Sequence, residues 1–164
     1  MAIILASQSP RRRQLLEQMG MTEFQISPAQ GEEVMDPALN PGELVERLSR
    51  AKALEVAAQA KPGDLVIAAD TVVASENQVL GKPRDPADAA RMLSLLSGRA
   101  HTVYTGVTVR RGTFSRTAHE ATQVRFRPLT QSEISAYIAT GEPLDKAGAY
   151  GIQGRGCVLV EGID

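Results

Sequence analysis

With 164 residues, 43% hydrophobic and 23% charged, and a formal net charge of −1 at pH 7, the chain is most simply a single domain with a substantial core. Its near-neutral balance argues against a duplex nucleic-acid binder, so an anion site has to be a local concentration of Lys and Arg. The single Cys157 excludes an intrachain disulfide and a Cys-based zinc cluster; with no apolar run able to span a bilayer and no secretory signal, a cytoplasmic protein without a membrane partner is expected.

Residues 2–6 read as a buried strand and 10–19 as a helix, with Leu15, Leu16 and Met19 as its apolar stripe and Gly20 as its stop. Ser9 has the chemistry of an N-cap, and Pro10 suits the first turn because its missing N–H costs nothing there. Arg11, Arg12 and Arg13 follow at once. Cations at a helix end that already attracts anions suggest a docking place for phosphate; the plainer reading is a solvated basic turn. A short strand is expected over 23–27 and a loop over 28–40, where Glu32 and Glu33 are free either to face solvent or to help hold a divalent cation. A long helix over 41–60 opens on Asn40, with Pro41 first and Glu43 in the reciprocal capping place. Leu44, Val45, Leu48, Ala51, Leu54 and Ala58 are its expected buried face, and Lys52 suits either snorkelling or phosphate binding.

Leu65–Ala69 is an unbroken apolar run suited to a strand covered on both faces, which Asp70-Thr71 interrupts before Val72-Val73-Ala74 resumes. A carboxylate at the end of such a run is costly to bury unless paired, hydrogen-bonded or metal-bound, and ligand clefts form at the carboxyl ends of α/β strands. The alternative is an Asx turn. Gly81-Lys82-Pro83 places a lysine in a rigid turn. A helix over 86–96 follows Asp85, two strands (101–110 and 116–127) meet at Arg111-Gly112, and Thr130 to Glu133 is a capping box for a helix to about 139. A glycine-bearing tract from Gly141 to Gly156 includes Gln153, whose amide offers a donor and an acceptor to a base edge. A strand over 157–160 comes last. His101 and His119 are too few for zinc, and His101 is expected to be a structural hydrogen-bonding group. No GxSxG, Walker A or GxGxxG pattern is present. The element order indicates an α/β domain, a mixed twisted sheet flanked by helices.

Five segments together resemble the Maf family of nucleotide pyrophosphatases: Ala6 to Arg12, Ala69 to Val73, Gly81-Lys82-Pro83, Leu96 to His101 with Tyr104 to Val107, and Asp145 to Gly154. The resemblance covers nearly the whole chain in the family's order and spacing. It implies a single Maf-like domain over 1–164, ITPase-like with a central cleft, and lacking the family's usual C-terminal segment. It also implies hydrolysis of a nucleoside triphosphate to the monophosphate and pyrophosphate, with a divalent metal cation, Mg²⁺ or Mn²⁺, as cofactor. By position Asp70 corresponds to the family's proton acceptor, and Ser7, Arg12, Glu33, Lys52 and Lys82 fall where the family has polar site residues; their chemistry suits phosphate binding by Ser7, Arg12, Lys52 and Lys82 and metal binding by Glu33 with Asp70. Subgroups of the family differ at the places of Arg11, Thr71 and Gln153, and this combination matches the branch acting on dTTP and UTP rather than on 7-methyl-GTP. Two other readings remain: a pyrophosphatase for modified pyrimidine nucleotides or CTP, and a nucleotide-binding inhibitor of septum formation without catalysis. Because family members are often dimers, a homodimer is expected.

Overall fold

The computed structural model describes residues 1–76 and 78–164. Among these the chain forms seven strands and four helices: β1 (Ile3–Leu5), α1 (Pro10–Gln18), β2 (Gln25–Ile26), α2 (Pro41–Ala57), β3 (Leu65–Ser75), β4 (Gln78–Leu80), α3 (Pro86–Leu96), β5 (Ala100–Arg111), β6 (Phe114–Phe126), α4 (Gln131–Ala139) and β7 (Val160–Ile163). The strands make one mixed sheet in the order β2-β1-β3-β5-β6-β7, with β4 paired to β3. β1 runs parallel to both β2 and β3, whereas β4 on β3 and β7 on β6 are antiparallel. The α/β class and mixed sheet are those expected. The chain divides into two compact units, Met1–Asp70 with Thr105–Glu120, and Thr71–Tyr104 with Ala121–Asp164.

In the first unit the capping box at Asn40 is formed in full: its side chain accepts from Glu43 N–H at 2.9 Å, and the Glu43 carboxylate accepts from Asn40 N–H at 3.3 Å. The buried face of α2 differs from the expected one. Leu44, Val45 and Leu48 are buried as expected, but the rest of the face is Gly42, Ser49, Ala53 and Val56, while Ala51, Leu54 and Ala58 are exposed. The reason is close approach. A Cβ on Gly106 of β5 would lie 2.4 Å from the Val45 carbonyl carbon, so the helix rests on the strand backbone and small residues line the contact. Inside it, Ser49 Oγ and Thr108 Oγ1 share a 2.9 Å hydrogen bond, and Thr108 shares another of the same length with Thr117. Ile4, Ala6, Ala53, Val56, Val66 and Ala68 form this unit's core cluster.

Two further expectations change here. Only Leu16 of α1 is buried, with Leu15 and Met19 exposed, so this short helix has a line of contact rather than a stripe. Asp70 does not interrupt its strand: β3 stays extended from Leu65 to Ser75, and the second strand after α2 is 78–80 instead. The carboxylate is buried in place because cations meet it there, which removes the reason to turn it out of the ladder.

The second unit is built on a larger cluster that includes Leu93, Leu96, Phe126, Ile134, Tyr137 and Tyr150. Asp85 caps α3 by accepting from Asp88 N–H at 2.7 Å, and Thr130 and Glu133 close the second capping box on α4. His101 lies in the aromatic core, its Nε2 2.7 Å from the Tyr150 hydroxyl and its ring edge-on to Phe126 at 4.9 Å. Burial pushes its pKa down to about 4, so it is neutral at ordinary pH. The glycine-bearing tract after Gly141 forms three short 3₁₀ turns, Glu142–Asp145, Ala147–Ala149 and Arg155–Leu159. The last of these replaces the start of the expected 157–160 strand. Cys157 N–H bonds back to the Gly154 carbonyl, and pairing with β6 begins only at Val160, opposite Phe126.

Candidate functional site

The first unit gathers four of the nine singled-out residues, Ser7, Arg12, Glu33 and Lys52, around a fifth, Asp70, whose side chain is 6% exposed. α2 delivers Lys52, with its ammonium between two carboxylates: it contacts Asp70 Oδ1 and lies 2.7 Å from Glu33 Oε1. α1 delivers Arg12, whose Nη1 donates to the Ala69 carbonyl at 2.8 Å and to Ser7 Oγ at 3.1 Å. Ser7 also accepts from Ser9 N–H at 3.2 Å. Ser9 therefore occupies the N-cap position but makes no side-chain cap bond, contrary to its expected role; Ser7 organises the turn instead. With two donors on its oxygen, the Ser7 hydroxyl keeps its own proton for a further acceptor.

The charges of this cluster are interdependent. Burial raises the Asp70 pKa above the ordinary carboxylate value; Lys52, by charge and hydrogen bond, and Arg12 pull it down, and Glu33 adds to the rise. Arg12 is shifted down by burial, with Asp70 and Glu33 opposing that shift and Arg11 adding to it. The guanidinium nevertheless stays charged. The result is a buried carboxylate held at elevated basicity amid positive groups, the setting a general base requires. Arg13 stands apart, exposed and paired with Glu17 at 2.9 Å.

Arg11 is half-buried on α1 beside Arg12. The remaining three residues belong to the second unit. Thr71 is half-buried in β3, next in sequence to Asp70, while Lys82 and Gln153 are exposed. Lys82 follows Gly81, whose carbonyl accepts from Gly148 N–H at 3.0 Å. Gly148 takes φ +68°, and a Cβ there would meet Val73 Cγ2 at 2.7 Å, so this contact requires glycine. Sequence reasoning missed two supports: the Ala69 carbonyl that holds Arg12, and the Glu142 carboxylate, which accepts from Tyr137 hydroxyl and from Arg155 and Gly156 N–H. A backbone carbonyl has no sequence signal, and Glu142 looks like any surface acid beside a proline.

A concavity of about 710 Å³ lined by residues including Met1, Gly20, Met21 and Phe24 lies in the first unit and includes none of these nine residues. Among the described residues no group of three or more His, Cys, Asp or Glu is placed to hold a metal ion, and no helix is long and apolar enough to cross a membrane.

The fold is similar to that of a HAM1 protein from Coxiella burnetii, with a TM-score of 0.53 at 15% identity over 96% of this chain and 91% of that one. That likeness is one of fold, a mixed sheet flanked by helices, and in this chain the sheet carries the buried carboxylate–cation cluster. The family described as Maf-like protein matches residues 2–164. A dTTP/UTP pyrophosphatase from Moorella thermoacetica is 56% identical over 165 residues, which cover 99% of this chain and 84% of that protein. The enzyme of the same name from Gloeobacter violaceus is 51% identical over 162 residues, again 99% and 84%. The chain belongs to the Maf family.

Proposed function

We infer that this protein is a nucleoside triphosphate pyrophosphatase that cleaves dTTP and UTP to the monophosphate and pyrophosphate. The observation that carries the reading is the buried Asp70 carboxylate, sharing Lys52 with Glu33 and lying in the field of Arg12. The names of the relatives at 51% and 56% identity supply the substrate.

In this reading water attacks the α-phosphorus, Asp70 accepts the proton as the new P–O bond forms, and the α–β bridging bond breaks with its electron pair leaving on pyrophosphate. Arg12 and Lys52 offset charge on the triphosphate, and the free proton of Ser7 suits a phosphate oxygen. Lys82 has the same phosphate-binding role, and Arg11, Thr71 and Gln153 choose the base. Glu33 and Asp70, the two carboxylates that flank the Lys52 ammonium, would supply oxygen ligands to a Mg²⁺ or Mn²⁺ ion. Such an ion, when bound, orients the phosphates and spreads their charge. A cytoplasmic location and a homodimer complete the reading, supported respectively by a lone exposed Cys157 and by the family resemblance.

The test is a nucleotide panel scored for pyrophosphate release, with wild type and Asp70→Asn side by side. Wild type is expected to favour dTTP and UTP, and Asp70→Asn to bind nucleotide with turnover lowered about a thousandfold. An Asp70→Asn protein that keeps most of its turnover removes Asp70 from the mechanism, and a wild type that binds dTTP without releasing pyrophosphate is a binder.

A further inference from the structure

The turn from Gly151 to Gly156 places Gln153 in the open, yet its backbone is held by a compact set of hydrogen bonds. Gly151 N–H donates to the Tyr137 hydroxyl at 3.2 Å, and that hydroxyl donates to Glu142 Oε1 at 2.8 Å. Beyond Gln153, Arg155 N–H reaches Glu142 Oε2 at 3.0 Å and Gly156 N–H reaches Oε1 at 3.1 Å. A Cβ on Gly154 would lie 2.6 Å from Glu142 Oε2, so the chain lies directly against the carboxylate. Both sides of Gln153 thus end on one acid and the phenol bonded to it. The stretch just before the turn is anchored separately, through Tyr150 on His101 and Gly148 on Gly81.

We propose that Glu142 is a positioning residue for nucleotide choice: with Tyr137 it fixes the Gly151–Gly156 turn so that Gln153 is presented in one orientation to the base. The inference rests on the base-choosing role given to Gln153 above. Three donors converge on the two carboxylate oxygens of Glu142, which a carboxylate accepts without conflict. A glutamine in its place has one acceptor oxygen and an NH₂ that would face a backbone donor. Burial works to raise the Glu142 pKa, but the hydrogen bonds from Arg155, Tyr137 and Gly156, with the nearby Lys146 charge, outweigh it and leave the pKa lowered. The acid is therefore ionised, and acceptor-only, at ordinary pH. A turn so fixed does not have to be ordered each time the base arrives, so its loss is felt in substrate binding and discrimination rather than in the chemical step.

A double-mutant cycle of Glu142→Gln and Gln153→Ala, with steady-state kinetics on dTTP, UTP and GTP and a melting curve for each protein, tests this. Glu142→Gln is expected to raise KM for dTTP and UTP about tenfold and to lower the preference over GTP by a similar factor, with kcat within about twofold. On the Gln153→Ala background the same substitution should change the preference no further. Tyr137→Phe, which keeps the buried ring, should act in the same direction to a smaller extent and carries the test if Glu142→Gln does not fold. A loss of preference that persists in full on the Gln153→Ala background, or activity lost equally for all three nucleotides, overturns the proposal and leaves Glu142 a purely structural acid. If Gln153→Ala alone leaves the nucleotide preference intact, the reading of Gln153 fails first, and the single variant shows it.

Discussion

The cluster around Asp70 and the turn around Gln153 use opposite means to build a surface for a ligand. In the first, side chains from α1, α2, β3 and the loop before α2 bring charges of both signs into one partly buried place, where burial and pairing set the basicity of Asp70. In the second, the ligand-facing residue is exposed, and its support comes from backbone N–H groups that converge on Glu142. One region is governed by electrostatics and the other by shape. Changes in the first should therefore appear in kcat and its pH dependence, and changes in the second in KM and nucleotide preference.

The largest expected effect tests that division directly. Asp70→Asn should lower kcat/KM for dTTP by about a thousandfold with the melting temperature retained, since proton transfer is lost while the side-chain volume is kept. A comparable loss of kcat from Glu142→Gln would break the contrast.

Gly106→Ala probes the scaffold beneath the first region. Its new Cβ meets the Val45 backbone, which cannot move aside like a side chain, and a loss of about 3 kcal/mol in urea unfolding is expected. In the second region, neutral His101 makes stability pH-dependent. Its folded pKa of about 4 lies below the usual 6.5, so the stabilisation is complete above 6.5 and is lost as pH falls toward 4, by about 3 kcal/mol in all. Denaturant melts at pH 7 and pH 4.5 measure this, and a His101→Phe protein should show a flatter profile.

The pH–rate profile sharpens the electrostatic side. Asp70 must be ionised to accept a proton, and burial works against that ionisation, so kcat/KM should fall on the acid side as Asp70 takes up a proton. Lys52→Ala removes the cation that lowers the Asp70 pKa and should move the acidic limb to higher pH; an unmoved limb would separate Lys52 from the base. The smallest effects come from the two capping boxes. Asn40→Ala in the first unit and Thr130→Ala in the second should each cost about 1 kcal/mol of stability and leave nucleotide preference unchanged.

Much of the fold was legible because local chemistry decides it. Asn40, Asp85 and Thr130 mark helix starts by side chains that satisfy the first free N–H groups, and each is found accepting such a bond. The strand through Asp70 was misread because an ionised residue in an apolar run looks like a break until its partners are known, and Lys52 and Arg12 are distant in sequence. The α2 face was misread for a related reason. Apolar bulk suggested Leu54 as core, but the helix lies so close to β5 that Gly42, Ser49 and Ala53 are buried in its place.

Features set within a few residues follow from the chain's local chemistry: helix caps, the glycine punctuation, the apolar strands, and the set of residue types that resembles the Maf family. Which of those residues meet is a property of the folded chain. Folding joined Lys52 to both Glu33 and Asp70, hung Arg12 from the Ala69 carbonyl, and turned three donors onto Glu142. The physical reason is range. A cap or a turn is satisfied by neighbours a few bonds away, whereas the ionisation of a buried acid depends on charges that only the folded chain brings within a few ångströms.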